Sequence, residues 1–128
     1  MYKVCIVTGA SRGLGRGIAK VLAEERSATV YATARSEAAL NDLASSIKGN
    51  TGVIHPVVLD QSDDSAVEKF ITTVAEKEGR IDLLVNSAYG GFKAMTPHFG
   101  KPFWERPISV FDASIDIGLR SAFVSSAI

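Results

Sequence analysis

The sequence predicts an α/β fold: a doubly wound parallel sheet of about four strands in the order 3-2-1-4, with helices on its faces. Three observations carry this. Short apolar runs alternate with stretches whose apolar residues recur at helical spacing, giving β-α-β-α-β-α-β. The first run, Val4-Cys5-Ile6-Val7, passes at once into the glycine-rich turn Thr8-Gly9-Ala10-Ser11-Arg12-Gly13-Leu14-Gly15 and then into a helix. Parallel crossovers are right-handed, so the first and fourth strands flank the point where the winding reverses, and ligands bind there beyond the carboxyl ends of the strands.

Each element has its own signal. After the turn, Leu14, Ile18, Val21 and Leu22 mark the apolar positions of the first helix. Ala28 to Thr33 reads as the second strand. Ser36 caps a helix with Leu40, Leu43, Ala44 and Ile47 on its apolar face, and Gly49-Asn50 ends it. Val53 to Leu59 is the third strand, and Pro56, lacking a ladder donor, places it at an edge. Ser62 is expected to cap the third helix, with Asp63 and Asp64 in its first turn. Val67, Phe70, Ile71 and Val74 are its buried face, and Gly79 stops it. Ile81 to Val85 is the fourth strand. From Ser87 to Arg106, Gly90-Gly91, Pro97, Gly100 and Pro102 predict a long loop. Pro107 then opens a last helix, whose apolar face is read as Phe111, Ile115, Leu119, Ala122 and Phe123.

Composition narrows the function. A chain of 128 residues, 46% of them apolar, is enough for one domain with a real core, so residues 1–128 read as a single domain. Fourteen basic residues balance fourteen acidic ones, which gives no electrostatic case for nucleic acid or an anionic membrane as the main partner. Cys5, the single cysteine, lies within an apolar strand and reads as a core thiol. No secretory leader and no apolar run of the ~20 residues needed to span a bilayer occur, so the default location is intracellular and cytoplasmic, with peripheral attachment to a membrane-associated compartment left open. His55 falls in a strand and His98 in the loop; no Cys/His cluster has metal-ligand spacing, and no nucleophile motif accompanies the serines.

The chemistry lies in the glycine turn. Backbone free of side chains can bend sharply and let a phosphate approach, while N–H groups at a helix start and the helix dipole favour the anion. NAD sites place an acidic residue near the end of the second strand to bind the ribose hydroxyls. Here that region reads Ala34-Arg35, and Arg12 lies within the turn. Two guanidinium groups suit a 2′-phosphate, so NADP(H) is favoured over NAD(H); two solvated arginines are the plainer alternative.

Thr8 ahead of Gly-x-x-x-Gly-x-Gly, Asp60 after the third strand, and Leu84-Val85-Asn86-Ser87-Ala88-Tyr89-Gly90 together resemble the short-chain dehydrogenase/reductase family. Val85–Gly90 and the stretch from Phe103 to Arg120 are similar to one animal subgroup of it. The resemblance implies a Rossmann-type domain and hydride transfer between a nicotinamide cofactor and a carbonyl or alcohol. It implies cofactor contacts at Thr8, Gly9, Ser11, Arg12, Gly13, Leu14, Gly15, Arg35, Asp60, Asn86 and Ala88. The turn would hold the pyrophosphate, Asp60 would meet the adenine end, and Asn86 would support the central strand and the site. Read as plain chemistry, Asp60 and Asn86 also suit turns.

Departures from the family pattern matter as much. Ser87 replaces the second motif asparagine, and Gly118 aligns with a helix asparagine of the catalytic set. The family's serine and helical Tyr-x-x-x-Lys lie on elements beyond the last one here. Tyr89-Gly90-Gly91-Phe92-Lys93 matches that spacing, but within the expected glycine-rich loop, so no catalytic residue is assigned. The expectation is the cofactor-binding part of an NADP(H)-dependent oxidoreductase, C-terminally truncated relative to the family. The alternatives are a non-catalytic nucleotide-binding module or an interaction module that binds a full-length relative. A small carbonyl or alcohol substrate is expected only of a full-length protein, and homo-oligomers are an open possibility.

Overall fold

The computed structural model describes residues 3–49 and 52–128, so the helix stop expected at Asn50 lies outside the described residues. Strands β1 (Val4–Val7), β2 (Thr29–Ala34), β3 (Val53–Val58) and β4 (Leu83–Val85) form one parallel sheet in the order β3-β2-β1-β4. In register, Ile6 lies between Tyr31 and Leu84, and Tyr31 lies opposite His55. Both faces of β1 are covered, which explains its unbroken apolar sequence. Pro56 sits in β3 at the sheet edge, as its missing N–H requires.

Helices α1 (Gly13–Arg26) and α2 (Glu37–Ser45) cover one core, built around Val7, Val30, Leu40 and Leu43. Helix α3 (Asp64–Glu78) covers the other, built around Ile6, Tyr31, Val67 and Val74, with Val124 of the last helix packed against it. Cys5 is a buried free thiol, and desolvation pushes its pKa up. Two helix ends follow expectation. Ser36 caps α2 by accepting from Ala39 N at 3.3 Å, and Gly79 closes α3 in the left-handed conformation.

Several expectations are corrected. α1 buries Gly15, Ala19 and Ala23, with Ile18 and Leu22 flanking, whereas Leu14 and Val21 point outward; small residues on the inner face let the helix sit close to the sheet. Asp63, not Ser62, caps α3, accepting from Ala66 N at 3.0 Å. Ser62 is held instead by Asp60, whose Oδ1 accepts from its N–H and its hydroxyl at 2.9 and 2.7 Å. The stretch expected as a long loop contains helix α4 (Gly91–Met95) and 3-10 turns at Thr96–His98 and Phe103–Glu105. Arg106 braces it, donating to Lys101 O at 3.0 Å and to Met95 Sδ at 3.4 Å.

The final helix is continuous but not regular: α5 (Ile108–Ser114), a π turn over Ile115–Arg120, and α6 (Ser121–Ala127). Pro107 occupies its cap position rather than its first turn. Its inner side carries Val110, Ser121 and Ser125, while Phe111, Leu119 and Phe123, read from sequence as its apolar face, are exposed. The inner serines are hydrogen-bonded: Ser121 donates within the helix to Ile117 O at 2.9 Å, and Ser125 accepts from Gln61 across the fold at 3.3 Å. At the opposite end of the sheet, Asp82 ties β4 to β1. Its Oδ2 accepts from Val4 N at 2.8 Å, its N–H donates to Val4 O at 2.8 Å, and Arg80 pairs with its other oxygen.

Candidate nucleotide site

All four strands end at the same edge, so topology fixes the order of the segments that follow them: Asp60, then Arg35, then the glycine turn, then Ser87–Gly90. They enclose a cleft of about 1020 Å³. Gly9, Ser11, Arg12, Gly13, Leu14, Gly15, Arg35, Asp60 and Ala88, all singled out from the sequence, line it. Thr8 and Asn86 do not: Thr8 holds the wall from behind, and the Asn86 side chain bonds α6. Thr8 is 2% exposed, and its hydroxyl oxygen accepts from Ser87 N and Ala88 N, both at 3.1 Å. Asn86 Nδ2 donates to Ser126 Oγ of α6 at 3.1 Å.

The turn needs its glycines for stated reasons. Gly9 has φ +64°, and a Cβ there would lie 2.7 Å from Ser87 O and Ala88 N. At Gly15 a Cβ would overlap the Gly9 carbonyl. Helix α1 also begins differently from α2 and α3: Arg12 at its cap is extended and supplies no side-chain cap. The first-turn N–H groups therefore lack the partner that Ser36 and Asp63 provide elsewhere, and the positive end of the helix dipole meets the cleft. An oxyanion fits these donors, and the missing Cβ atoms let the turn pack against Ser87 and Ala88 and let α1 start directly beneath the Gly9 carbonyl.

At the β2–β3 end the cleft is lined by the Arg35 guanidinium and the Asp60 carboxylate. Asp60 is held below the ordinary carboxylate range, first by the N–H and hydroxyl of Ser62, with Arg35 adding to the effect. Arg35 is exposed, and neither Ala34 nor any acidic residue of β2 competes for it.

Sequence reasoning missed other lining residues. Gln61 is 6% exposed; its amide nitrogen reaches Ser125, and its Oε1 has no hydrogen-bond partner. Its position directly after Asp60 was the available signal. Ala113 and Ile117 enter from the last helix, which was read for its outward apolar face. Tyr89 and Lys93 both line the cleft, but Tyr89 precedes α4 and Lys93 lies within it, so they do not share a helical face.

The short chain dehydrogenase family profile matches residues 3–128. This chain belongs to that family. Mouse dehydrogenase/reductase SDR family member 1 is 43% identical over 125 residues, which are 97% of this chain and 40% of that protein. A metagenomic short-chain oxidoreductase solved in complex with NADP superposes with a TM-score of 0.82 at 33% identity, covering 98% of this chain and 53% of the other. A 3-ketoacyl-(acyl-carrier-protein) reductase from Brucella melitensis complexed with NADH gives 0.78 at 26% identity, covering 98% and 47%. The chain thus spans about half the length, or less, of these relatives. The Rossmann-type reading of the sheet and the nicotinamide dinucleotide as ligand class agree with that membership. Among the described residues, no helix is long and apolar enough to cross a membrane. Gly118 lies within the π turn, and a Cβ there would come to 3.3 Å from Cδ2 of Tyr89.

Proposed function

We propose that this chain is the cofactor-binding part of an NADP(H)-dependent oxidoreductase acting on a carbonyl or alcohol, and that alone it binds the dinucleotide without sustained turnover. The observation that carries the reading is the uncapped start of α1, set behind a turn that has no room for a Cβ at Gly9 or Gly15. Ser11, Gly13, Leu14 and Gly15 would hold the pyrophosphate by backbone N–H groups. Thr8 fixes the opposite wall through Ser87 and Ala88. Asp60 would accept from the adenine amine, and Asn86 would support the site through α6. The bound cofactor supplies hydride; the chain supplies position and charge.

The preference for NADP(H) rests on Arg12 and Arg35, since solved relatives hold either NADP or NADH. Calorimetric titration is expected to give NADPH at least about tenfold tighter binding than NADH, as one charge-assisted pair at the 2′-phosphate is worth roughly that. Equal affinity, or tighter NADH, overturns the preference.

Binding without turnover is supported by two features. Gly118 offers no side chain at the position of the family's helix asparagine, and Tyr89 has no helical scaffold to hold it against Lys93. Proton transfer needs a positioned donor beside the reacting oxygen. NADPH oxidation is assayed with a panel of aldehydes, ketones and quinones, on protein shown to bind NADPH. No multiple turnover is expected. Sustained turnover that disappears in Tyr89→Phe would instead make Tyr89 and Lys93 an active pair.

A further inference from the structure

We infer that Tyr89 is a specificity residue: its ring forms a fixed aromatic wall that selects planar, ring-bearing carbonyl or alcohol ligands at the β4 end of the cleft. This rests on the proposed function only in assuming that an organic carbonyl or alcohol enters there.

The ring is pinned although its segment is not helical. It lies against two glycines. A Cβ at Gly91 would overlap the phenol ring and hydroxyl, and one at Gly118 would press on the ring edge at 3.3 Å from Cδ2. The π turn over Ile115–Arg120 places Gly118 there, and such bulges inside helices recur at functional sites. The hydroxyl is fixed as well. Ser114 Oγ donates its proton to Val110 O at 2.7 Å, so in the 3.2 Å contact between the two hydroxyls Tyr89 is the donor. The phenol oxygen keeps its lone pairs for another donor.

A tyrosine held at three points would ordinarily be buried, yet this one is 49% exposed and lines the cleft. Phe92, also about half exposed, lines the same end, with Ala113 and Ile117 completing an apolar surface. Such a wall offers offset stacking to a flat ring and little to a short aliphatic chain. The free lone pairs of Tyr89 can accept from a ligand hydroxyl.

The test titrates 2-naphthaldehyde and butanal by ligand-observed NMR, with and without NADP+. The proteins are wild type, Tyr89→Phe, Tyr89→Leu and Gly118→Val, each checked for folding by circular dichroism. Wild type is expected to bind naphthaldehyde at least about tenfold more tightly than butanal. Tyr89→Phe keeps that ratio to within about threefold, because the ring remains. Tyr89→Leu, which keeps bulk but no ring, brings it close to one, and Gly118→Val does the same by displacing the ring. No discrimination in wild type, or an unchanged ratio in folded Tyr89→Leu, overturns the wall. A folded wild type that binds no nucleotide overturns the proposed function instead, and the titration without NADP+ still decides the role of Tyr89.

Discussion

Thr8 shows how much one hydroxyl can carry. It accepts from two successive backbone N–H groups on the far side of the cleft, and both are partly buried. Thr8→Val keeps the shape and removes the acceptor, so it should cost about 2 kcal/mol, while Thr8→Ser should cost little. Urea unfolding of the three proteins reads the difference. His55 and, with Asp60, Asp82 contribute to the response to acid. The His55 ring lies 4.9 Å from that of Tyr31, with Lys77 and Glu78 of α3 beside it; burial first, then Lys77, holds its pKa below 6.5. A depressed histidine pKa means the fold prefers the neutral ring, so this contribution is complete above the unfolded value and is lost as pH falls below about 6.5. Asp82 is lowered by Arg80 and then by Val4 N–H, so its contribution is complete above the ordinary carboxylate value and is lost as pH falls below about 4. Two separate acid losses are expected in the urea midpoint as pH is lowered from 7.5. His55→Gln should remove the first and leave the second.

At the scale of elements, Ser27 closes α1 with φ +54°, the one non-glycine residue at positive φ among those described. Ser27→Gly is therefore expected to stabilise by about 0.5–1 kcal/mol, a rise of roughly 2–5 °C in Tm by calorimetry. The same helix shows where the sequence was legible and where it was not. Strand order, the turn and the apolar faces of α2 and α3 could be read because period and punctuation agree, as at Ser36, Leu40 and Leu43. The face of α1 was read only in part: Ile18 and Leu22 pack on the core, but close packing selects Gly15, Ala19 and Ala23, which carry little hydropathy signal. The last helix failed for a related reason: serines face inward and phenylalanines outward, the reverse of the usual pattern. In the cleft, residues fixed by the turn motif were found. Gln61 and Ile117 were not, since only the tertiary fold brings them there.

Across the whole molecule, apolar surface is left uncovered. Ile108, Phe111, Leu119 and Phe123 are exposed along the last helix, and a cavity of about 800 Å³, lined by Ile71, Ala75, Ile81, Leu84 and Ile128, lies between α3 and the end of α6. Surfaces of this kind favour association. The 128-residue chain is expected to form oligomers at working concentration by light scattering, and Phe111→Ser with Phe123→Ser to shift it toward monomer; a clean wild-type monomer that binds no hydrophobic dye would refute this. The hydrogen bonds from Ser87 and Ala88 to Thr8 also have a consequence in time. They join residues 79 and 80 positions apart, so the glycine turn is translated well before the wall it packs against. At bacterial-to-eukaryotic elongation rates of ~5–20 residues per second, roughly 4–16 s pass between translation of the two walls. A nascent chain stalled within that interval would be retained on no nucleotide resin, however well α1 and α2 had already formed.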